Sequence, residues 1–125
     1  MAGRRAARRS ALFLLYQWDV TGQALASLYE GEVDPYAMEI AQRVVRDAAQ
    51  LDRRISAAAE GWPAERLGAV ERSILRIAIV ELDSDEVPDE VAINEAVELA
   101  KRYASDEAAR LVNGVLARIA KEKVA

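Results

Sequence analysis

Val87-Pro88-Asp89-Glu90-Val91-Ala92-Ile93-Asn94-Glu95-Ala96-Val97-Glu98-Leu99-Ala100-Lys101 is the stretch whose reading decides the fold. Pro88 pushes the residue before it into extended geometry, so no helix continues through Val87. Beyond it the apolar residues recur at helical spacing: Ala92, Ala96, Leu99 and Tyr103 form one stripe, widened by Ile93, Val97 and Ala100. A helix over about 89–104 is the prediction. Asn94, Glu98 and Lys101 share another face and give this helix an ordered polar surface that packing alone does not select. The next helix opens with Ser105 as cap and Asp106 and Glu107 in its positive first turn, and Leu111, Val112, Val115, Leu116 and Ile119 are its core stripe. Asn113 and Gly114 sit mid-helix although both have low helix propensity. The expected reason is tight packing at Gly114, with Asn113 bonding a neighbouring loop.

Working back toward the N-terminus, the same pattern repeats. A helix over about 4–20 buries Ala11, Leu14, Leu15 and Trp18, and Gly22 ends it in a left-handed backbone. A short, weak helix is expected over 23–29. Asp34-Pro35 reads as N-cap and first helical position, opening a helix to about residue 60 with Met38, Ala41, Val45, Ala48, Leu51 and Ile55 inward. Gly61-Trp62-Pro63 breaks it. The segment 70–82 is apolar on most sides (Ile74, Leu75, Ile77, Ala78, Ile79, Val80), as a central helix covered by the others must be. Nothing reads as a strand. The fold class is all-α, about six to seven helices in a single domain over 1–125, long enough to bury a core without staples.

Composition narrows function. The chain has no Cys and no His, which removes thiol nucleophiles, thiolate metal sites, the commonest metal ligand and the usual general base near neutral pH. A hydrophobic fraction of 52% with only 6% aromatics favours helix over sheet. The longest uncharged stretches, 10–18 between Arg9 and Asp19 and 20–29 between Asp19 and Glu30, are too short to span a bilayer, and no secretory segment precedes them. Cytoplasmic residence, no membrane, no cofactor and no catalytic activity are the expectations. The net charge of −4 argues against indiscriminate nucleic-acid binding, but its distribution is uneven: Arg4, Arg5, Arg8 and Arg9 crowd one end with no acid before Asp19.

Three constellations carry candidate chemistry. In the first, Arg4 and Arg8, like Arg5 and Arg9, are i,i+4 neighbours, and guanidinium fits phosphate bidentately or stacks on a base. Cations at a helix N-terminus oppose the macrodipole, so stability does not account for them, although a solvated terminus remains the bland reading. Trp18 continues the core stripe. Tyr16 lies off it with a polar tip, where an unpaired base can stack or accept a hydrogen bond. In the second, Glu107 and Arg110 open the last helix. Capping explains the carboxylates there, yet a carboxylate also accepts from base amino groups. In the third, Glu65, Glu71, Arg72 and Arg76 flank Gly68, either as a solvated rim or as a charged docking surface. No Gly-rich phosphate loop, H-E-x-x-H or G-x-S-x-G arrangement is present.

The phrase 87–101, followed by Val112-Asn113-Gly114-Val115-Leu116, resembles the NusB family of transcription antitermination factors, as does Arg4-Arg5-Ala6-Ala7-Arg8 leading through Ala11 to Leu15-Tyr16. The similarity is clear over about 4–18 and strongest over about 67–116. It implies two small helical bundles packed together and no enzymatic activity. It further implies single-stranded boxA-type RNA of nascent ribosomal-RNA transcripts as ligand, bound through Arg4, Arg5, Arg8, Arg9, Tyr16, Glu107 and Arg110. The implied partners are the ribosomal protein NusE, held by Glu65, Glu71 and Arg76, and the RNA polymerase antitermination complex. Three departures stand out: Arg9 where relatives often have Glu, Ala108 where they commonly have Ser, and Leu111 where they commonly have Phe. The related readings are a NusB-like domain preceding an rRNA cytosine methyltransferase, against which no methyl-donor-binding segment follows Ala125, and a helical interaction module without RNA.

Overall fold

The computed structural model describes residues 3–123, and among them there are five α-helices, two 3-10 turns and no strand. The helices are α1 (Arg4–Thr21), α2 (Pro35–Ala58), α3 (Ala69–Asp83), α4 (Asp89–Tyr103) and α5 (Asp106–Glu122). The six to seven helices expected are five α-helices, because the short segments Leu25–Ser27 and Ala64–Arg66 are single 3-10 turns. The weak helix expected over 23–29 is the first of these turns.

The boundaries follow from local chemistry. Gly22 closes α1 at φ 72°, its N–H donating to the Trp18 carbonyl. The Asp34 carboxylate accepts from the N–H groups of Tyr36 and Ala37 at 2.8 and 3.3 Å, with Pro35 at the first helical position. Ser105 Oγ accepts from the Ala108 N–H at 3.0 Å and starts α5.

α1, α2 and α3 pack pairwise into one bundle; α3, α4 and α5 pack pairwise into a second. α3 therefore belongs to both, which explains why Ile74, Leu75, Ile77, Ala78, Ile79 and Leu82 are all buried around its circumference. The α2 stripe differs from expectation: Ala37, Ile40 and Val44 are buried, while Met38, Val45 and Ala48 lie half-exposed at the edge of the contact. Ala41, Leu51 and Ile55 are buried as the spacing predicts, so the inward face is broader than the predicted stripe and is displaced from it only around Met38, Val45 and Ala48. The view of Asn113 and Gly114 also needs correction. Both are exposed, and a Cβ added at Gly114 would meet nothing within 4 Å, so packing does not require glycine there.

Candidate nucleic-acid interface

The four N-terminal arginines divide by direction. Arg8 points inward. Its residue is 4% exposed, and its Nε donates to both carboxylate oxygens of Glu81 on α3 at 2.8 and 3.0 Å. Tyr36 on α2 donates its hydroxyl to the same carboxylate at 2.5 Å. Burial lowers the tendency of Arg8 to stay charged, but the hydrogen bond and charge of Glu81 outweigh it and raise its pKa. Burial, then the hydrogen bond to Glu81, pushes the Tyr36 phenol well above its usual range. Arg8 is thus a pin between bundle elements through its Nε, its charge matched by Glu81, while the residue also forms part of the wall of a cleft between α1 and α4. Arg5 pairs with Glu95 on α4 at 2.8 Å while its side chain stays open to solvent. Arg4 lies over the Tyr36 ring, 4.6 Å from its centroid, and Glu86 stands 3.9 Å away. Arg9 has no ion-pair partner among the described residues. Tyr16 is exposed two turns further along α1.

Arg76 needs a similar correction. It is 4% exposed, donates to Asp52 on α2 at 2.8 and 2.7 Å, and lies over the Trp18 ring at 5.7 Å. Arg72 donates to Asp19 on α1 at 2.9 and 2.6 Å and to the carbonyls of Ala64 and Leu67. These two arginines bind α1, α2 and the 3-10 turn before α3 to α3 itself, so they are neither a solvated rim nor an open docking surface. Glu65 remains exposed and Glu71 half-exposed. The Glu71 carboxylate folds back over Gly68, crowding the place where a Cβ would sit.

Glu71 and Glu107 line one hollow of about 330 Å³ together with Trp62, Arg66, Ser105 and Leu111. The two expected surfaces therefore adjoin across the N-termini of α3 and α5. Trp62 is 56% exposed at its rim. Arg110 faces a neighbouring hollow of about 400 Å³ with Lys101, Asp106 and Asn113.

A sequence profile described as the NusB family matches residues 5–121 of this chain. The chain belongs to the NusB family. The transcription antitermination protein NusB of Rubrobacter xylanophilus is 46% identical over 128 aligned residues, covering 97% of this chain and 91% of that protein. The structure of T. maritima NusB superposes with a TM-score of 0.83 at 34% identity, covering 97% of this chain and 92% of that one. A NusB crystallised with NusE and double-stranded RNA superposes with a TM-score of 0.81 at 32% identity, covering 95% of this chain and 96% of that one. The relatives' name is that of a transcription factor and not of an enzyme. No helix among the described residues is long and apolar enough to cross a membrane.

Within this NusB fold Arg5 and Arg9 line the cleft between α1 and α4 and Tyr16 is exposed further along α1, whereas Arg4 turns to Tyr36 on α2; Glu107 is set beside Glu71. Sequence reading missed Glu81, Tyr36, Asp19 and Asp52, the acids and phenol that position the arginines. One signal was available: Glu81 is a carboxylate inside the most apolar run of the chain, and a charge there needs a buried partner.

Proposed function

We propose that this chain, acting as a single domain over 1–125 in the cytoplasm, is the antitermination factor that holds boxA-type single-stranded RNA of nascent ribosomal-RNA transcripts together with NusE. The observation that carries this reading is the basic end of α1: Arg5 and Arg9 on the α1–α4 cleft, with Arg4 at the same end, on a helix whose orientation is locked by the buried Arg8–Glu81 pair. Guanidinium groups fixed on a rigid element can meet successive phosphates without losing much side-chain freedom. The solved neighbour holds double-stranded RNA. A single strand suits this surface better, because the exposed Tyr16 needs an unstacked base to act on.

In this reading NusE docks against Glu65 and Glu71, and because Glu71 shares a hollow with Glu107, protein and RNA would meet along one edge. Arg76 contributes by holding α3 and not by contact. Carboxylates on such a surface set register and encounter rate more than affinity.

The test is RNA affinity measured against salt. For a single strand, log affinity falls with log salt by about 0.7 per phosphate neutralised. Replacing Arg4, Arg5 and Arg9 together with Gln is expected to flatten that slope with helicity unchanged, and an unchanged slope overturns the assignment. Glu71→Lys is expected to remove the tightening of RNA binding by NusE while sparing RNA binding by the chain alone.

A further inference from the structure

A cleft of about 270 Å³ runs between α1 and the C-terminal half of α4, walled by Arg5, Arg8 and Arg9 on one side and Glu95, Glu98 and Arg102 on the other. Its charges do not cancel. Arg8 is consumed by Glu81, Glu95 is taken by Arg5, and Glu98 faces Lys101 at 3.7 Å. Arg9 and Arg102 are left without an ion pair among the described residues, in a protein whose net charge is −4.

One helical turn beyond Arg9, Phe13 is 49% exposed. A lone exposed apolar residue is ordinary. This one is held in a fixed attitude: its ring meets Tyr103 of α4 edge-to-face, with centroids 5.5 Å apart and planes at 86°. The Arg102 guanidinium in turn lies 5.4 Å from the Tyr103 centroid. Phe13, Tyr103 and Arg102 are thus preorganised as a unit across two helices, with Arg9 on the near side.

We propose that this place is a nucleotide subsite: Arg9 and Arg102 hold a phosphodiester in the cleft, and the open part of the Phe13 ring carries the adjoining base. The inference rests on the RNA-binding reading above and adds Phe13, Tyr103 and Arg102 to it. Unmatched cations beside a fixed aromatic ring are the elements of single-strand binding, in which the backbone tracks positive charge and bases stack on side chains with little sequence preference. Phe13, Tyr16 and Val20 are exposed at helical spacing along α1, so the base-bearing side of the strand continues along this helix from the subsite.

The experiment uses the full chain and a short single-stranded boxA-type oligoribonucleotide carrying a fluorescent base analogue. Phe13→Ala is expected to weaken binding on the order of ten-fold and to remove quenching of the analogue without altering the salt slope. Arg102→Gln is expected to reduce the slope by about 0.7. Phe13→Trp is expected to bind as well as the parent, and unchanged circular dichroism shows that each variant folds. If Phe13→Ala and Arg102→Gln bind like the parent while replacing Arg4 and Tyr16 with Ala still weakens RNA binding, the subsite is overturned and the RNA reading stands. If the parent shows no salt-dependent RNA binding, both fall. If Phe13→Ala changes self-association in sedimentation and leaves RNA binding intact, the ring is a protein contact and the subsite is overturned.

Discussion

Successive side chains leave a helix roughly 100° apart, which is enough to send Arg8 into the core against Glu81 and Arg9 out to the α1–α4 cleft. Removing one member of a buried ion pair strands the other, at a cost of about 3–5 kcal/mol. Arg8→Ala is therefore expected to lower the urea midpoint sharply, whereas Arg9→Ala stays within about 0.5 kcal/mol of the parent and loses RNA affinity. Tyr36 adds a pH dependence. Its folded-state pKa is raised by burial and by the bond to Glu81, so its contribution is complete below its ordinary value of 10.0 and is lost as pH rises beyond that. Tyr36→Phe is expected to melt below the parent at pH 8, with the gap closing at more alkaline pH. A gap that stays constant across that range would show that the phenol's proton is not involved. The inward path of Arg8 was legible in principle, since Arg8, Leu12 and Leu15 lie on one helical stripe. It was obscured because an arginine-rich terminus is ordinarily assigned to solvent, and only the partner on α3 reveals where the charge goes.

At the scale of elements, punctuation was easier to read than register. Asp34-Pro35, Gly22, Pro88 and Ser105 each act through local backbone chemistry, and each marks its boundary where the sequence places it. The inward face of α2 depends on where neighbouring helices cross it, which no local rule contains: Ala41, Leu51 and Ile55 lie inward as the spacing predicts, whereas Met38, Val45 and Ala48 fall at its edge. α5 shows the converse case. Gly114 interrupts a good helix with no contact that demands it. Gly114→Ala is expected to raise stability by about 0.5–1 kcal/mol, through reduced freedom of the unfolded chain and better helix propensity. Thermal melting checks this, and a lower melting temperature would mean that the backbone there is held by something a Cβ disturbs.

For the whole molecule, α3 is the shared member of both bundles, tied to α1 and α2 by Arg8–Glu81, Arg72–Asp19 and Arg76–Asp52. Neither bundle has a complete core without it, so the chain is expected to unfold in one cooperative step. Trp18 reports on the first bundle, while Trp62 lines the hollow at the start of α5. Urea transitions followed by tryptophan fluorescence and by far-ultraviolet circular dichroism should coincide, and separated transitions would show that the bundles are independent.

The central place of α3 also imposes an order in time. A ribosome releases α1 and α2 before it has finished α3, and 62 residues separate the end of α1 from the end of α3. At about 5–20 residues per second this is roughly 3–12 s of synthesis. Throughout that interval Arg8 has no Glu81, α1 and α2 have only each other to pack against, and the basic end of the nascent chain cannot take up its final orientation. The α1 side of the surface proposed to grip a transcript is therefore made first, yet it is set in place only when α3 has followed and is completed only with Arg102 and Tyr103 of α4.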